Sequence, residues 1–190
     1  IYLMRHAETD YNQKRIWQGF QINASLNRNG KKQADELAVK SAELNLELVV
    51  TGTMKRTVET ASRVAEYNNV SLLTIPDLHE ADYGLAEGMT FDEVRRCYPQ
   101  EWDWWIRFAP EGWHKTFPQA ETMMDVAERV FPVLDIVCER SFQNIALVSH
   151  AGVIGSLLSL LGVKEPKLHN CGCVLISRDS DGYQFERYVF

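Results

Sequence analysis

Short apolar runs alternate with longer stretches whose apolar residues recur three and four positions apart. Ile1-Tyr2-Leu3-Met4, Leu46-Glu47-Leu48-Val49-Val50, Ser71-Leu72-Leu73-Thr74-Ile75 and Asn144-Ile145-Ala146-Leu147-Val148 are too short for helices and each ends in turn formers or polar residues, so they are expected strands. Between them, Gln33, Ala34, Leu37, Ala38, Ala42 and Leu44 define one helical face, with a start at Asn27 to Gly30; Met54, Val58, Ala61 and Ala65 define a second. A long helix from about Glu121 to Arg140 carries Met124, Ala127, Val130, Phe131, Leu134 and Val137 on one stripe, with Pro132 as a point of kinking, and an apolar helix follows from Val153 to Leu161. Cys173-Val174-Leu175-Ile176-Ser177, a turn at Asp179 to Gly182, and Tyr183 to Phe190 predict a closing hairpin. Strands alternating with helices, and a continuous apolar run at Ile145 to Val148, predict an α/β fold: a three-layer α/β/α sandwich on a largely parallel central sheet.

Two segments break the alternation. Asp10 to Asn23 lacks a helical period and is expected to be a loop over the strand ends, with Asn12, Gln18 and Gly19 able to meet a ligand or merely to make a turn. Asp77 to Gly88 contains four carboxylates and two glycines, and Glu80, Asp82 and Glu87 are all chemically suited to be a catalytic acid. Thr90-Phe91-Asp92-Glu93 is a capping-box signature for a short helix. Trp102, Trp104, Trp105, Phe108, Trp113 and Phe117 then crowd into a small helical excursion, a lid around 90–120. Trp102 and Trp105 are read as its own core, while Trp113, His114 and Lys115 could line a pocket.

Composition narrows the classes. The chain has 190 residues, 45% of them hydrophobic and 24% charged, which fits one globular domain over 1–190. A net charge of −6 argues against binding nucleic acid or anionic membrane, so any positive charge for phosphate must be local. No apolar run is long enough to span a bilayer and no leader pattern opens the sequence as it stands, so a cytoplasmic protein is expected. Cys97, Cys138, Cys171 and Cys173 lack metal-ligand spacing and read as small hydrophobes in a reducing compartment. His-x-His and His-Glu-x-x-His patterns are absent too.

The candidate chemistry sits where strands end. His6 follows Arg5 one residue past the first strand, and His150 repeats that placement in Ser149-His150-Ala151-Gly152. Open α/β folds bind ligands in the crevice beyond the carboxyl ends of their strands. Arg56 lies in the first turn of its helix, where a cation opposes the helix dipole but reinforces an anion site.

Together these fragments resemble the histidine phosphatase superfamily, in its phosphoglycerate mutase-like branch. Arg5-His6-Ala7-Glu8-Thr9 is similar to the family's Arg-His-Gly-Glu-Thr signature, Met54 to Ala61 to its arginine-bearing helix, Leu78-His79-Glu80 through Glu87-Gly88 to its acid-bearing loop, and Ser149 to Gly152 to its second-histidine motif. The resemblance implies a phosphoglycerate mutase-like fold and a phosphohistidine formed at His6. It implies that Arg5, Arg56 and His150 hold the equatorial oxygens and that Glu80 acts as general acid and then base. Asn12, Gln18, Gly19 and the Ala151 backbone complete the phosphate pocket in this reading, without metal or cofactor. Ala7 replaces a glycine, Thr51-Gly52-Thr53 a Ser-rich turn, and Ala120-Glu121-Thr122 a Gly-Glu-Ser. The compact excursion favours hydrolysis of a small phosphorylated metabolite, such as α-ribazole phosphate or a broad range of phosphomonoesters. A phosphoglycerate mutase and a catalytically silent phospho-ligand-binding module are the alternatives, and a homodimer is left open.

Overall fold

Alternation along the strands sets the layers. In a computed structural model describing residues 1–190, strand β1 (Tyr2–Arg5) sends Leu3 to one face of the sheet and Met4 to the other. Strand β2 (Leu48–Thr51) does the same with Leu48 and Val50 against Val49, and strand β4 (Ile145–Ser149) with Ile145 and Leu147 against Ala146 and Val148. Helices α2 (Arg28–Ser41) and α3 (Lys55–Asn68) cover the Met4 face through Leu37, Ala61 and Val64. Helices α6 (Met123–Cys138) and α7 (Ala151–Leu160) cover the other through Val130, Leu134, Ile154 and Leu157. This is the expected three-layer sandwich.

The sheet has six strands in the order β3-β2-β4-β1-β5-β6, where β3 is Ser71–Thr74, β5 is Cys173–Asp179 and β6 is Gly182–Tyr188. β1, β2, β3 and β4 run parallel, and the β5–β6 hairpin adds to β1 antiparallel. Register does the positioning: Arg5 pairs with Ser149 across β1 and β4, so the next residue on each strand, His6 and His150, leaves the sheet beside the other.

Local chemistry accounts for the departures from expectation. Asp10–Gln13 forms a short helix, α1, because Thr9 and Asn12 make a capping box, a side-chain signal that hydrophobic period cannot carry. β3 is an edge strand, and three of its four residues are exposed. On α6 the buried stripe runs through Met123, Val126 and Val133, while Met124 and Phe131 are only partly buried; the helix continues across the exposed Pro132. On α3 the buried positions include Arg56, Thr57 and Thr60, and Val58 is only partly buried.

The excursion comprises α4 (Phe91–Cys97), capped by the predicted Thr90–Glu93 box, and α5 (Pro99–Arg107). Its aromatics are core. Trp105 packs edge-on against Tyr83 with centroids 4.9 Å apart, and Trp102 lies 5.4 Å from Trp17. Trp113, partly buried, packs against the same core, and its indole N–H donates to Ser159 Oγ at 2.8 Å on α7. His114 and Lys115 are exposed, with the Lys115 ammonium over the Trp104 ring. No helix is long and apolar enough to cross a membrane.

Candidate active site

The carboxyl ends of β1, β2 and β4 and the start of α7 converge on one cluster: Arg5, His6, Arg56, Glu80 and His150. All but Arg5 are buried, and Arg56 is the largest fully buried side chain in the protein.

The two histidines hold opposite tautomers. His6 Nδ1 lies 2.7 Å from the carbonyl oxygen of Ala7. A carbonyl only accepts, so Nδ1 carries the proton and Nε2 keeps its lone pair. His150 Nδ1 instead accepts from Arg56 Nε at 3.2 Å, which puts its proton on Nε2, a buried atom with no protein partner. The rings meet edge to face with centroids 5.3 Å apart. Burial first, then the Arg56 guanidinium, drives the proton affinity of both well below the ordinary imidazole value. The pair therefore offers one neutral nucleophilic nitrogen and one neutral N–H donor.

Arg56 is fixed on three sides, because besides His150 it donates to Ile22 O at 2.8 Å and Gly19 O at 3.3 Å. Burial lowers its pKa to about 10, so it stays cationic at neutral pH. Arg5 donates through Nη1 to Leu168 O at 2.7 Å, and its buried Nε has no partner. Asn170, which sequence reasoning missed, donates to His6 O at 2.9 Å and ties the loop before β5 to the end of β1.

Among the three acids of the loop, geometry singles out Glu80. Its carboxylate accepts from Ala81 N at 2.9 Å and from Gly152 N and Val153 N, both at 3.3 Å, at the start of α7. Burial raises its pKa against the opposing pull of Arg56 and these N–H groups. Glu87 serves as a brace, accepting from Gln21 N and Tyr83 N, and Asp82 accepts from Gln21 Nε2 and Gly84 N.

Two glycines are required by proximity. A Cβ on Gly152 would stand 2.2 Å from Tyr83 Oη and 2.6 Å from Glu80 Oε1, and one on Gly19 would stand 2.2 Å from Glu87 Oε1. Gly19 thus belongs to the wall that holds Arg56. Gln18 is buried, accepts from Thr9 Oγ1 at 2.7 Å, and leaves its Nε2 without a partner. Asn12 spends its side-chain oxygen on Thr9 N at 3.0 Å in the α1 cap. Ala151 is the first residue of α7, so its N–H has no intrahelical acceptor. Ala7 in place of glycine is accommodated because it packs with Leu26 and Ala34, while its N–H donates to Thr60 Oγ1.

Residues 1–190 match the sequence profile of the histidine phosphatase superfamily, branch 1. The chain belongs to that family. It is 32% identical over 176 residues to phosphoserine phosphatase 1 of Hydrogenobacter thermophilus, covering 91% of this chain and 81% of the relative. It is 30% identical over 182 residues to a protein named probable phosphoglycerate mutase GpmB in Cronobacter sakazakii, covering 90% of this chain and 81% of that one. Among solved structures, a mycobacterial glucosyl-3-phosphoglycerate phosphatase in complex with VO3 superposes with a TM-score of 0.85 at 22% identity, covering 99% of this chain and 96% of that one. That last likeness bears on the fold.

Proposed function

We propose that this histidine phosphatase is a metal-independent phosphomonoesterase that works through a phosphohistidine at His6 Nε2. One observation carries the reading: the Ala7 carbonyl holds the proton on His6 Nδ1, so Nε2 is the free lone pair beside the donors of Arg56 and His150. In the first step Nε2 attacks phosphorus, the bond from phosphorus to the leaving oxygen breaks, and that oxygen takes the proton of the Glu80 carboxyl. In the second, water attacks phosphorus as the P–N bond breaks and gives its proton to the Glu80 carboxylate, which restores the acid. Arg5, Arg56 and His150 hold the phosphoryl oxygens while charge spreads over them, which is most of what phosphoryl transfer asks of a protein. The Ala151 N–H and the Gln18 amide add donors to the same pocket, and Asn12 and Gly19 shape its wall.

Two features support a leaving group without a second negative charge. Phe20 is half-exposed and stacks on His79 with centroids 4.3 Å apart, immediately before Glu80. Neither Gly19 to Asn23 nor His79 to Glu87 carries a lysine or arginine. An aromatic lip with no lysine or arginine of its own suits a sugar or nucleoside phosphate, as α-ribazole phosphate would be, or a broad range of phosphomonoesters with neutral leaving groups, better than phosphoglycerate.

The test is phosphate release from a panel of phosphomonoesters in excess chelator by the native chain, His6→Ala and Glu80→Ala. Release that survives chelation, vanishes in His6→Ala and is strongest on neutral leaving groups is the expected result. Isomerised phosphoglycerate without phosphate release would establish the mutase instead, and neither product would leave a phospho-ligand-binding module.

A further inference from the structure

The carboxyl of Glu80 is anchored to α7, while the backbone that delivers it is gripped by Arg129 of α6 and by Glu121 just before that helix. Arg129 donates from Nε to Glu121 Oε1 at 2.8 Å and from Nη2 to Glu121 Oε2 at 3.0 Å, a two-pronged pair. The same guanidinium donates from Nη1 to Asp77 O at 2.7 Å and from Nη2 to Glu80 O at 3.3 Å. Glu121 in turn accepts from Asp82 N at 2.9 Å through Oε2, and its own N–H donates to Asp82 O at 2.8 Å. The pair thus holds the chain before, at and after Glu80.

We propose that Glu121 and Arg129 are positioning residues for the acid step, acting through Glu80 and not on substrate. Lysine could not replace the grip, because four bonds in one plane need the guanidinium's fork. The pair is largely shielded from solvent, with side-chain exposures of 22% for Glu121 and 15% for Arg129, so its geometry is held more firmly than a surface ion pair's. Proton delivery to a leaving oxygen depends on reach: the acid must lie within hydrogen-bond distance of an atom whose place the phosphate site fixes. A loop slackened by a few tenths of an ångström leaves Glu80 present but out of line.

The inference rests on the hydrolase reading above, and its test separates the two. kcat/KM, which reports phosphohistidine formation, is measured for 4-nitrophenyl phosphate, whose leaving group needs no proton, and for an unactivated alkyl phosphate, whose leaving group does. Glu121→Gln, which keeps size and one acceptor, and Arg129→Lys are each compared with the native chain, and thermal melts establish that they fold. The expected result is a loss of about 10²-fold on the alkyl ester and no more than about threefold on the aryl ester, within the range general acids contribute. In a Glu80→Gln background, Glu121→Gln should cost nothing further on the alkyl ester, because the group it positions is gone. Equal losses on both esters, no loss on either, or an alkyl-specific loss that persists in the Glu80→Gln background would overturn the positioning role. A native chain that hydrolyses neither ester would overturn the hydrolase reading and this inference with it.

Discussion

A histidine attacks phosphorus only through an unprotonated nitrogen, and an acid protonates a leaving group only if it holds its proton at working pH. Burial serves both needs here in opposite directions, lowering the proton affinity of His6 and raising that of Glu80. The cost shows in stability. A carboxyl whose folded pKa is raised contributes stability fully present below its ordinary value of 4.5, and that contribution is lost as pH rises through the folded value. Glu80→Gln has no such dependence, so its melting temperature relative to the native protein should climb as pH rises above the ordinary carboxyl value of 4.5, read by melts at a series of pH values. The histidines act inversely, their contribution being full above their ordinary value and lost as pH falls. Gly152→Ala is the sharpest geometric test, because its methyl would collide with both Tyr83 Oη and Glu80 Oε1. A displacement of that size should cut kcat by about 10²-fold, measured on the best substrate of the panel, and crowding the buried Tyr83 should lower the melting temperature as well.

At the scale of elements, what the sequence made legible is what local pattern determines. The strands, the α2 and α3 helices and the Thr90 cap follow from period and capping chemistry, and His6 and His150 were findable because both sit one residue past a strand. What pattern could not reach are contacts made across the fold. Nothing local marks Asn170 as the partner of His6 O, or Arg129 as the clasp on Glu80, although Glu121 lies within a triplet that resembles a family motif. Loop chemistry alone leaves Glu80, Asp82 and Glu87 equivalent and only the family resemblance points to Glu80; the contact that sets Glu80 apart physically is with the start of α7, 72 residues away at Gly152. The tryptophan-rich excursion was legible as helical, and the structure makes it continuous with the main core: Trp17, Tyr83, Trp105 and Phe117 share one buried cluster with the helices on the sheet. Trp105→Ala should therefore cost about 3–5 kcal/mol of global stability in a urea melt. An independent lid would lose its own structure and leave the global transition where it was.

For the whole molecule, topology turns two separate sequence motifs into one site. β1 and β4 lie side by side in register although Arg5 and its partner Ser149 are 144 positions apart in the chain, so the first and second histidines emerge together, and Arg56 from the helix after β2 closes over them. The net charge of −6 is no obstacle, because the positive charge is concentrated in two arginines at the carboxyl edge of the sheet. The central claim is that phosphate passes through His6 on one particular nitrogen. The direct measurement is ³¹P NMR of the protein trapped during turnover and denatured in alkali, where phosphohistidine survives and its two isomers differ in shift, with His6→Ala as control. A signal for the Nε2 isomer that is absent in His6→Ala is predicted. A signal for the Nδ1 isomer, or turnover with no phosphohistidine in the native protein, would contradict the tautomer that the Ala7 carbonyl imposes and the mechanism built on it.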